Sequence, residues 1–340
     1  MSLSETADTP AMPGATLTRL LAVTGGGADD GALLKEAFAF AARTGAEMCV
    51  LSVVEPPSDL AAVAHASGLD EAGIKERLCQ ERRDGVKALV ASLSPDTTPE
   101  IAVRVGKPFI EIIAYVHAHD VDFVMKDADD VHGIASYVFA STDQHLLRKC
   151  PCPVWLRVGA ERHGPRTVLA AVDVDRAMAS EPSTLEGLNR TILQTAALVA
   201  GEGGGPIHVL HVWEAPGEGL VRTWSNAPKP RRAAEDYVAS IHTAHSNALA
   251  DLVESAAEWM TPPLKRQAFL PRLERGDPRT VIPQYVADHK VDVIVMGTIA
   301  RTGVPGFIIG NTAEDVLNAV DCAVVTVKPP GYVSPLRTAG

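Results

Sequence analysis

The sequence has few aromatic residues, and its cysteines follow no regular spacing. Aromatics make up 5% of the 340 residues while hydrophobic residues reach 46%, so the core must be built from Val, Ile, Leu and Ala, as in helices packed on a buried sheet. The five cysteines are an odd number at irregular spacing, which is a poor disulfide framework and favours a reducing cytoplasm. The spacing of Cys150 and Cys152 matches neither a thioredoxin nor a zinc motif, and we expect small buried residues there.

Basic runs and long apolar stretches are also missing. The chain has 42 acidic and 31 basic residues and a formal net charge of −11, so we expect no binding to nucleic acid or to an anionic membrane surface. Its apolar runs are too short for a membrane span. Residues 1–16 are polar, which predicts a disordered tail and not a signal peptide. These features together predict a cytoplasmic protein.

An internal repeat indicates two domains. The 52 residues that begin at Gly106 align without gaps with those that begin 170 residues later at Gly276, and 13 positions are identical. A copy of about 150 residues has the size of a domain and not of a solenoid unit. The polar segment 159–165 separates the copies, so we place the domains at residues 1–160 and 161–340.

Each half alternates short apolar strands with helical patterns. In residues 31–44, for example, Leu34, Ala37, Phe38 and Ala41 fall on one helical face. Strands that are apolar throughout and separated by helices imply a parallel sheet covered on both faces. We therefore predict an α/β protein with two doubly wound, Rossmann-like domains, each an open five-stranded parallel sheet with helices on both faces. The predicted strands are 20–23, 48–54, 101–105, 121–125 and 154–158 in the first half, and 168–172, 207–212, 268–271, 291–296 and 323–327 in the second.

A glycine-rich segment follows the fourth strand of the second half, at the sheet edge where ligands bind in such folds. It runs from Gly297 to Gly310-Asn311-Thr312 and precedes an apolar helical pattern. Glycine lets backbone amides approach an anion closely, and a helix start offers N–H groups and a positive dipole end. Asn311 followed by Glu314 also fits an ordinary helix cap. Glycine spacing alone does not separate phosphate binding from a simple cap.

This segment resembles the signature of the universal stress protein family, which is Gly, two residues, Gly, nine residues, Gly, then Ser or Thr. Gly297 and Gly310 match the first and third glycines, whereas Ala300 and Asn311 replace the second glycine and the hydroxyl residue. The resemblance extends over nearly the whole chain and is to tandem members of the family. The further matches, in the expected order, are Asp173 after the first strand of the second half, His211-Val212 in its second strand, and Gly276-Asp277-Pro278.

The resemblance implies an adenine-nucleotide site in the second domain only. The ligand would be ATP, ADP or AMP, with Mg²⁺ as an optional companion. We expect a stress-response regulator with an unidentified protein partner, and not an enzyme, because no Ser-His-Asp or Cys-His order stands out. We also expect the halves to form an intramolecular pseudo-dimer through their last strands, with a homodimer of the chain left open. The residues implied in nucleotide binding are Val172, Asp173, Val212, Met296, Gly297, Ala300, Arg301, Gly310, Asn311 and Thr312.

The first half departs from the family pattern. Thr24 replaces the aspartate after the first strand, Asp127, Asp129 and Asp130 occupy the opening of the glycine loop, and Ala140 replaces the third glycine. Three carboxylates repel a phosphate unless a cation intervenes. We expect no nucleotide here, and a metal site on the three aspartates is the alternative.

Three other features have two interpretations each. Gly25–Gly27 hints at a phosphate loop, but the dinucleotide fingerprint fails at Asp30, which favours a flexible turn. His242 and His245 share a helical face and could bind metal, although no carboxylate cluster joins them. The connection 213–233 is either a cationic lid over the nucleotide or a solvated loop.

Alternatives to a nucleotide-binding regulator stay open at this point. Ala300 and Asn311 favour a nucleotide-free scaffold or an apolar-ligand-binding stress protein in which both sites have decayed. Asp173, Gly297, Gly310 and Thr312 favour nucleotide binding. An enzyme that activates a substrate with ATP is a third class.

Overall fold

The computed structural model describes residues 17–27, 30–93, 98–129, 141–158, 166–176, 181–201, 204–260, 268–298 and 310–336. Contacts within the chain divide it into two compact units. The first unit comprises Met1–His163 and Ala323–Gly340, and the second comprises Gly164–Cys322. The contacts of residues 323–340 place them with the first unit, whereas the sequence analysis assigned them to the second domain.

The first unit follows the predicted alternation. Its elements are β1 (Arg19–Thr24), α1 (Gly31–Thr44), β2 (Glu47–Val54), α2 (Leu60–Ser67), α3 (Glu71–Leu93), β3 (Glu100–Val105), α4 (Pro108–Ala118), β4 (Phe123–Asp127), α5 (Ser141–Lys149), β5 (Val154–Arg157) and β10 (Ala323–Val327). The strand order is β3-β2-β1-β4-β5-β10. The first five strands are parallel, and β10 runs antiparallel to β5 with Val325 opposite Trp155. The two strands that the repeat matches as counterparts thus pair with each other.

The second unit has a fully parallel sheet. Its elements are β6 (Val168–Ala171), α6 (Pro182–Ala200), β7 (Ile207–Trp213), α7 (Glu218–Trp224), α8 (Pro230–Trp259), β8 (Phe269–Arg275), α9 (Pro278–Asp288), β9 (Val293–Gly297) and α10 (Asn311–Ala319). The strand order is β9-β6-β7-β8. The α/β class with helices on both faces is confirmed, and β10 adds one antiparallel strand to the five parallel strands of the first unit.

Burial distinguishes the strands in the middle of each sheet from the edge strands. Four consecutive residues of β4, and the first three of the four residues of β6, are buried, as expected for parallel strands covered on both faces. The edge strands β3 and β8 are only partly buried. In α1 the buried aromatic is Phe40, whereas the predicted stripe named Phe38. No helix in the described part of the chain combines the length and hydropathy that a membrane span requires.

The repeat extends to individual side-chain contacts. Tyr115 stacks on His119 at 4.0 Å between ring centroids, and Tyr285 stacks on His289 at 3.9 Å. The Asp122 carboxylate accepts a hydrogen bond from Thr18 N at 2.8 Å, and the matching Asp292 accepts one from Thr167 N, also at 2.8 Å. The tyrosine, histidine and aspartate positions repeat at an offset of 170 residues, and contacts this specific support duplication.

Candidate functional site

The candidate site lies at the carboxyl ends of β6 and β9 in the second unit. β6 pairs with β7 on one side and with β9 on the other, so the chain order reverses between β6 and β9. In open α/β sheets ligands bind outside the strands at such a switch point. Asp173 follows β6 and Gly297 ends β9, so the two residues flank this position.

The backbone of Asp173 is clamped by a buried side chain that the sequence analysis did not single out. Asn189 of α6 accepts from Asp173 N at 3.1 Å and donates to Asp173 O at 2.6 Å. The side chain of Asp173 stays 26% exposed, and its Oδ1 accepts from Asp175 N at 3.1 Å. One indication of this role was present in the sequence, since Asn189 is a polar residue on an otherwise apolar helix face. A buried amide needs hydrogen-bond partners.

A histidine pair joins α8 to the same edge. His211 Nδ1 lies 3.2 Å from Val172 O, its Nε2 lies 2.9 Å from His245 Nδ1, and its Nδ1 lies 4.0 Å from Asp173 Oδ1. His211 Nδ1 also lies 3.5 Å from Val174 N. The direction of the His211–His245 hydrogen bond therefore depends on whether Nδ1 donates to Val172 O or accepts from Val174 N. The metal hypothesis for His242 and His245 is not supported by this arrangement. His245 instead pairs with His211, and His242 packs edge-on against Trp213 at 5.5 Å.

Gly297 packs closely against α6 at the end of β9. A Cβ built there would lie 2.7 Å from Leu188 Cδ2 of α6, so a side chain would have to displace the end of the Leu188 side chain. Close packing on α6 therefore disfavours a larger residue whether or not a phosphate approaches. The neighbouring residues Val172, Val212 and Met296 are core residues with exposed fractions of 7%, 7% and 5%, so only their backbones can face a ligand.

Helix α10 begins beside the end of β9. Gly310 is its N-cap, with φ −60° and ψ 134°, and Gly310 N donates to Thr298 O at 3.2 Å. The cap interpretation for Asn311 was wrong, because Asn311 is the first helical residue and the cap makes no side-chain hydrogen bond. Asn311 and Thr312 are both exposed, and the first amides of a helix have no intrahelical acceptor. The start of α10 can therefore receive an anion. Ala300, Arg301 and the rest of the loop lie outside the described residues.

The connection 213–233 is largely helical, which corrects the prediction of a loop. α7 packs on α8, and Arg275 of β8 binds Glu218 at its start, 2.6 Å between Nη2 and Oε2. α8 begins at Pro230, a residue that suits the first turn of a helix. Trp224 is 74% exposed at the end of α7. Contact of the cationic residues of this connection with a phosphate stays a prediction.

The corresponding edge of the first unit is filled by the chain's own charges. The Asp30 carboxylate accepts from the amides of Gly25, Gly26 and Gly27 at 3.1, 2.6 and 3.0 Å. Three successive backbone N–H groups form an anion-binding nest, and an internal carboxylate occupies this one. Arg82 donates to Gly25 O and, at 3.1 Å, to Ser52 Oγ. The structure supports the turn interpretation of Gly25–Gly27.

Lys126 neutralises two carboxylates at the end of β4. Its Nζ lies 2.5 Å from Asp129 Oδ1 and 3.0 Å from Asp143 Oδ1, and the Asp143 side chain is completely buried. Burial raises the pKa of Asp143, and Lys126 offsets this only in part. Burial lowers the pKa of Lys126, but the charges of Asp143 and Asp129 outweigh it, so the pKa lies above its ordinary value.

Asp127 belongs to a second internal ion pair. Its Oδ1 lies 3.4 Å from Arg157 Nε, and Arg157 also binds Glu36 at 3.0 Å. Burial raises the pKa of Asp127, with a smaller contribution from Asp30 against the lowering effect of Arg157. The positive charges that balance these carboxylates therefore come from Lys126 and Arg157 of this chain. Within the described ranges, no group of three or more His, Cys, Asp or Glu side chains is placed to hold a metal ion, and Asp130 lies outside those ranges.

Comparison with known proteins agrees with this geometry. A sequence model of the universal stress protein family matches twice, at residues 16–157 and 166–328. This chain is therefore a tandem member of the universal stress protein family. It is 27% identical over 245 residues to universal stress protein E of Photorhabdus laumondii, covering 69% of this chain and 70% of the relative. For universal stress protein E of Escherichia coli K12, the identity is 28% over 238 residues, covering 68% of each chain.

Solved structures share the fold over almost the full length. A protein of unknown function from Pseudomonas aeruginosa PAO1 matches with a TM-score of 0.64 at 22% identity, covering 93% of this chain and 94% of that one. A universal stress protein from Archaeoglobus fulgidus matches with a TM-score of 0.53 at 15% identity, covering 92% and 99%. At these identities the likeness supports the fold alone.

Proposed function

We propose that this chain is a stress-response regulator that binds one adenine nucleotide, ATP, ADP or AMP, at the switch point of its second unit. Val172, Asp173 and Val212 would face the adenosine. The phosphates would lie on the amides from Gly297 and from the start of α10, where Gly310, Asn311 and Thr312 lie. Ala300 and Arg301 of the intervening segment would complete the site, with Mg²⁺ as an optional companion of the phosphates.

The observation that carries this proposal is the contrast between the two repeats. At the switch point of the first unit, an internal carboxylate fills the glycine nest and Arg82 lies against it. At the start of α10 in the second unit, two exposed uncharged residues are followed by Ala313, whereas α5 of the first unit has the buried carboxyl group of Asp143 at that matching third position. These differences support our expectation that an anionic ligand is repelled at the first position and binds at the second.

Calorimetric titration of the full chain tests this proposal. We expect one binding event per chain for ATP, ADP or AMP, measured with and without Mg²⁺. Two equivalent sites would contradict the assignment to the second unit. Failure of all three nucleotides to bind at millimolar concentration would reject nucleotide binding altogether.

A nucleotide-free scaffold or apolar-ligand binder is the second candidate. It is favoured by the exposed apolar residues Leu220 and Trp224, 53% and 74% exposed at successive turns of α7, and by the two departures from the family signature. In either case we propose a binding protein and not an enzyme, which an ATP turnover assay tests. The protein partner and the pseudo-dimer stay predictions.

A further inference from the structure

Two cysteines face each other between α5 and β5 of the first unit. After α5 ends at Lys149, the sequence continues Cys150-Pro151-Cys152, and the two Sγ atoms lie 3.6 Å apart. Cys150 is buried, whereas Cys152 is partly exposed, and neither is in a disulfide. A disulfide bond needs a sulfur separation of about 2.05 Å, so the sulfurs must close by only about 1.5 Å.

A buried lysine from another part of the chain lies beside this pair. Lys328 directly follows β10, is 7% exposed, and donates from Nζ to Leu147 O of α5 at 2.5 Å. Burial lowers the pKa of Lys328 to about 7, although Cys150 and Cys152 partly offset this effect. Tyr332, four residues further on, donates to Arg148 O at 3.1 Å. The C-terminal segment is thus held against the end of α5 beside the sulfurs.

The pKa values of the two thiols are shifted in opposite directions. Burial raises the pKa of Cys150, but its hydrogen bond with Cys152 and the charge of Lys328 outweigh burial, so the pKa is lowered. Burial and the nearby Cys150 raise the pKa of Cys152 well above its ordinary value. The thiolate is the reactive form of cysteine. The hydrogen bond with Cys152 and the charge of Lys328 favour Cys150 as the attacking thiolate, and Cys152 is the sulfur of the pair that reaches the surface.

We propose that Cys150 and Cys152 are a peroxide-sensitive dithiol that closes to an intramolecular disulfide, with Cys150 as the attacking thiol, Cys152 as the resolving thiol, and Lys328, held against the end of α5, as the positioning residue. This site is independent of the nucleotide site proposed for the second unit.

The chemistry needs only hydrogen peroxide as co-reactant. The Cys150 thiolate attacks one peroxide oxygen, an S–O bond forms as the O–O bond breaks, and the released hydroxide takes up a proton to give water. The Cys152 sulfur then attacks the sulfur of the Cys150 sulfenic acid. An S–S bond forms, the S–O bond breaks, and the hydroxide leaves as a second water with the Cys152 proton. Two electrons pass from the two thiols to one peroxide.

The full chain offers a clean readout, because cleavage after Lys149 and Arg157 releases residues 150–157 as a tryptic peptide with both cysteines and no other. Reduced protein is exposed to hydrogen peroxide, denatured, alkylated and digested. We expect this peptide to be two hydrogens lighter and unalkylated unless it is first reduced, while Cys79, a partly buried lone cysteine of α3, is still alkylated. If both cysteines remain alkylatable, or if Cys79 oxidises as fast, the proposal is wrong.

The role of Lys328 has its own matched test. Lys328→Met removes the charge but keeps an unbranched side chain that can fill the same space. We expect disulfide formation to slow about tenfold, the effect of one decade in thiolate fraction, with circular dichroism confirming that the variant is folded. Lys75→Met, at a half-exposed lysine of α3, should leave the rate unchanged. Cys152→Ser should leave a Cys150 sulfenic acid that dimedone traps. An unchanged rate in Lys328→Met would refute the role of the lysine, and absence of the dimedone adduct would refute Cys150 as the nucleophile.

Discussion

Gly310→Asp is expected to abolish nucleotide binding while leaving the protein folded. Gly310 has φ −60° and ψ 134° as the N-cap of α10, a conformation that any residue adopts and in which aspartate is a favoured cap. The new carboxylate would accept from the amides of α10 and occupy the place of the phosphate, as Asp30 does on Gly25–Gly27 in the first unit. Repulsion between two charges 4 Å apart near a surface is about 4 kcal/mol, so we expect affinity to fall by about a thousandfold.

The repeat supplies the control for this variant. Ala140 occupies the matching position in the first half, and Ala140→Asp adds the same charge at that place. Titration of both variants should show binding lost in Gly310→Asp and retained in Ala140→Asp, with the thermal midpoint of Gly310→Asp no lower than that of the parent. Loss of binding in Ala140→Asp alone would move the nucleotide to the first unit.

Lys126→Met is expected to lower the free energy of unfolding strongly at neutral pH. The Asp143 carboxylate is completely buried, and Lys126 Nζ lies 3.0 Å from it. Removing one partner of a buried ion pair leaves an uncompensated charge and costs about 3–5 kcal/mol. Asp143→Asn in the same chain should recover most of this loss, because the amide oxygen can still accept from Asp129 N, which now donates to Asp143 Oδ2 at 2.8 Å. Urea unfolding of the single and double variants measures both effects.

The effect of Lys126→Met should depend on pH in a defined direction. The folded-state pKa of Asp143 is raised by burial above its unfolded value, which is about 3.9. The contribution of such a group to stability is complete below its unfolded pKa and is lost as pH rises through its folded pKa. Without Lys126 this pKa rises further, so the variant should approach the parent near pH 4 and fall behind it towards pH 7. A loss that is equal at both pH values would show that packing, and not charge, accounts for it.

The repeat and its strands could be predicted from the sequence because they depend on local periodicity and on matched positions. The predicted strand 48–54 differs from β2 by one residue, for instance. The helices of the connection 213–233 were missed, because their polar composition gives no clear apolar stripe in the sequence. Phe40 and not Phe38 faces the core, since the orientation of α1 is set by tertiary packing.

The family signature identified residues at the ends of strands and helices in the candidate site. It did not identify the side chains that contact them, or those that fill the matching edge of the first unit. Asp173, Gly297 and Gly310 stand at strand and helix ends that a family signature can identify. Asn189 and His245 reach the same edge from α6 and α8, 16 residues from Asp173 and 34 from His211. Arg82 contacts Gly25 across 57 residues. Contacts of this range depend on how helices pack on the sheet, which local patterns do not encode.

Hydrogen exchange of the full chain with and without ATP tests the central claim most directly. The first amides of α10, at Asn311 and Thr312, have no intrahelical acceptor, so they should exchange rapidly without ligand and slow strongly when phosphate binds. The Gly25–Gly27 amides already donate to Asp30 and should not change. We expect ATP-dependent protection at the start of α10, with none at Gly25–Gly27 or the start of α5. Protection at these first-unit segments, or at neither switch point under saturating ATP, would contradict it.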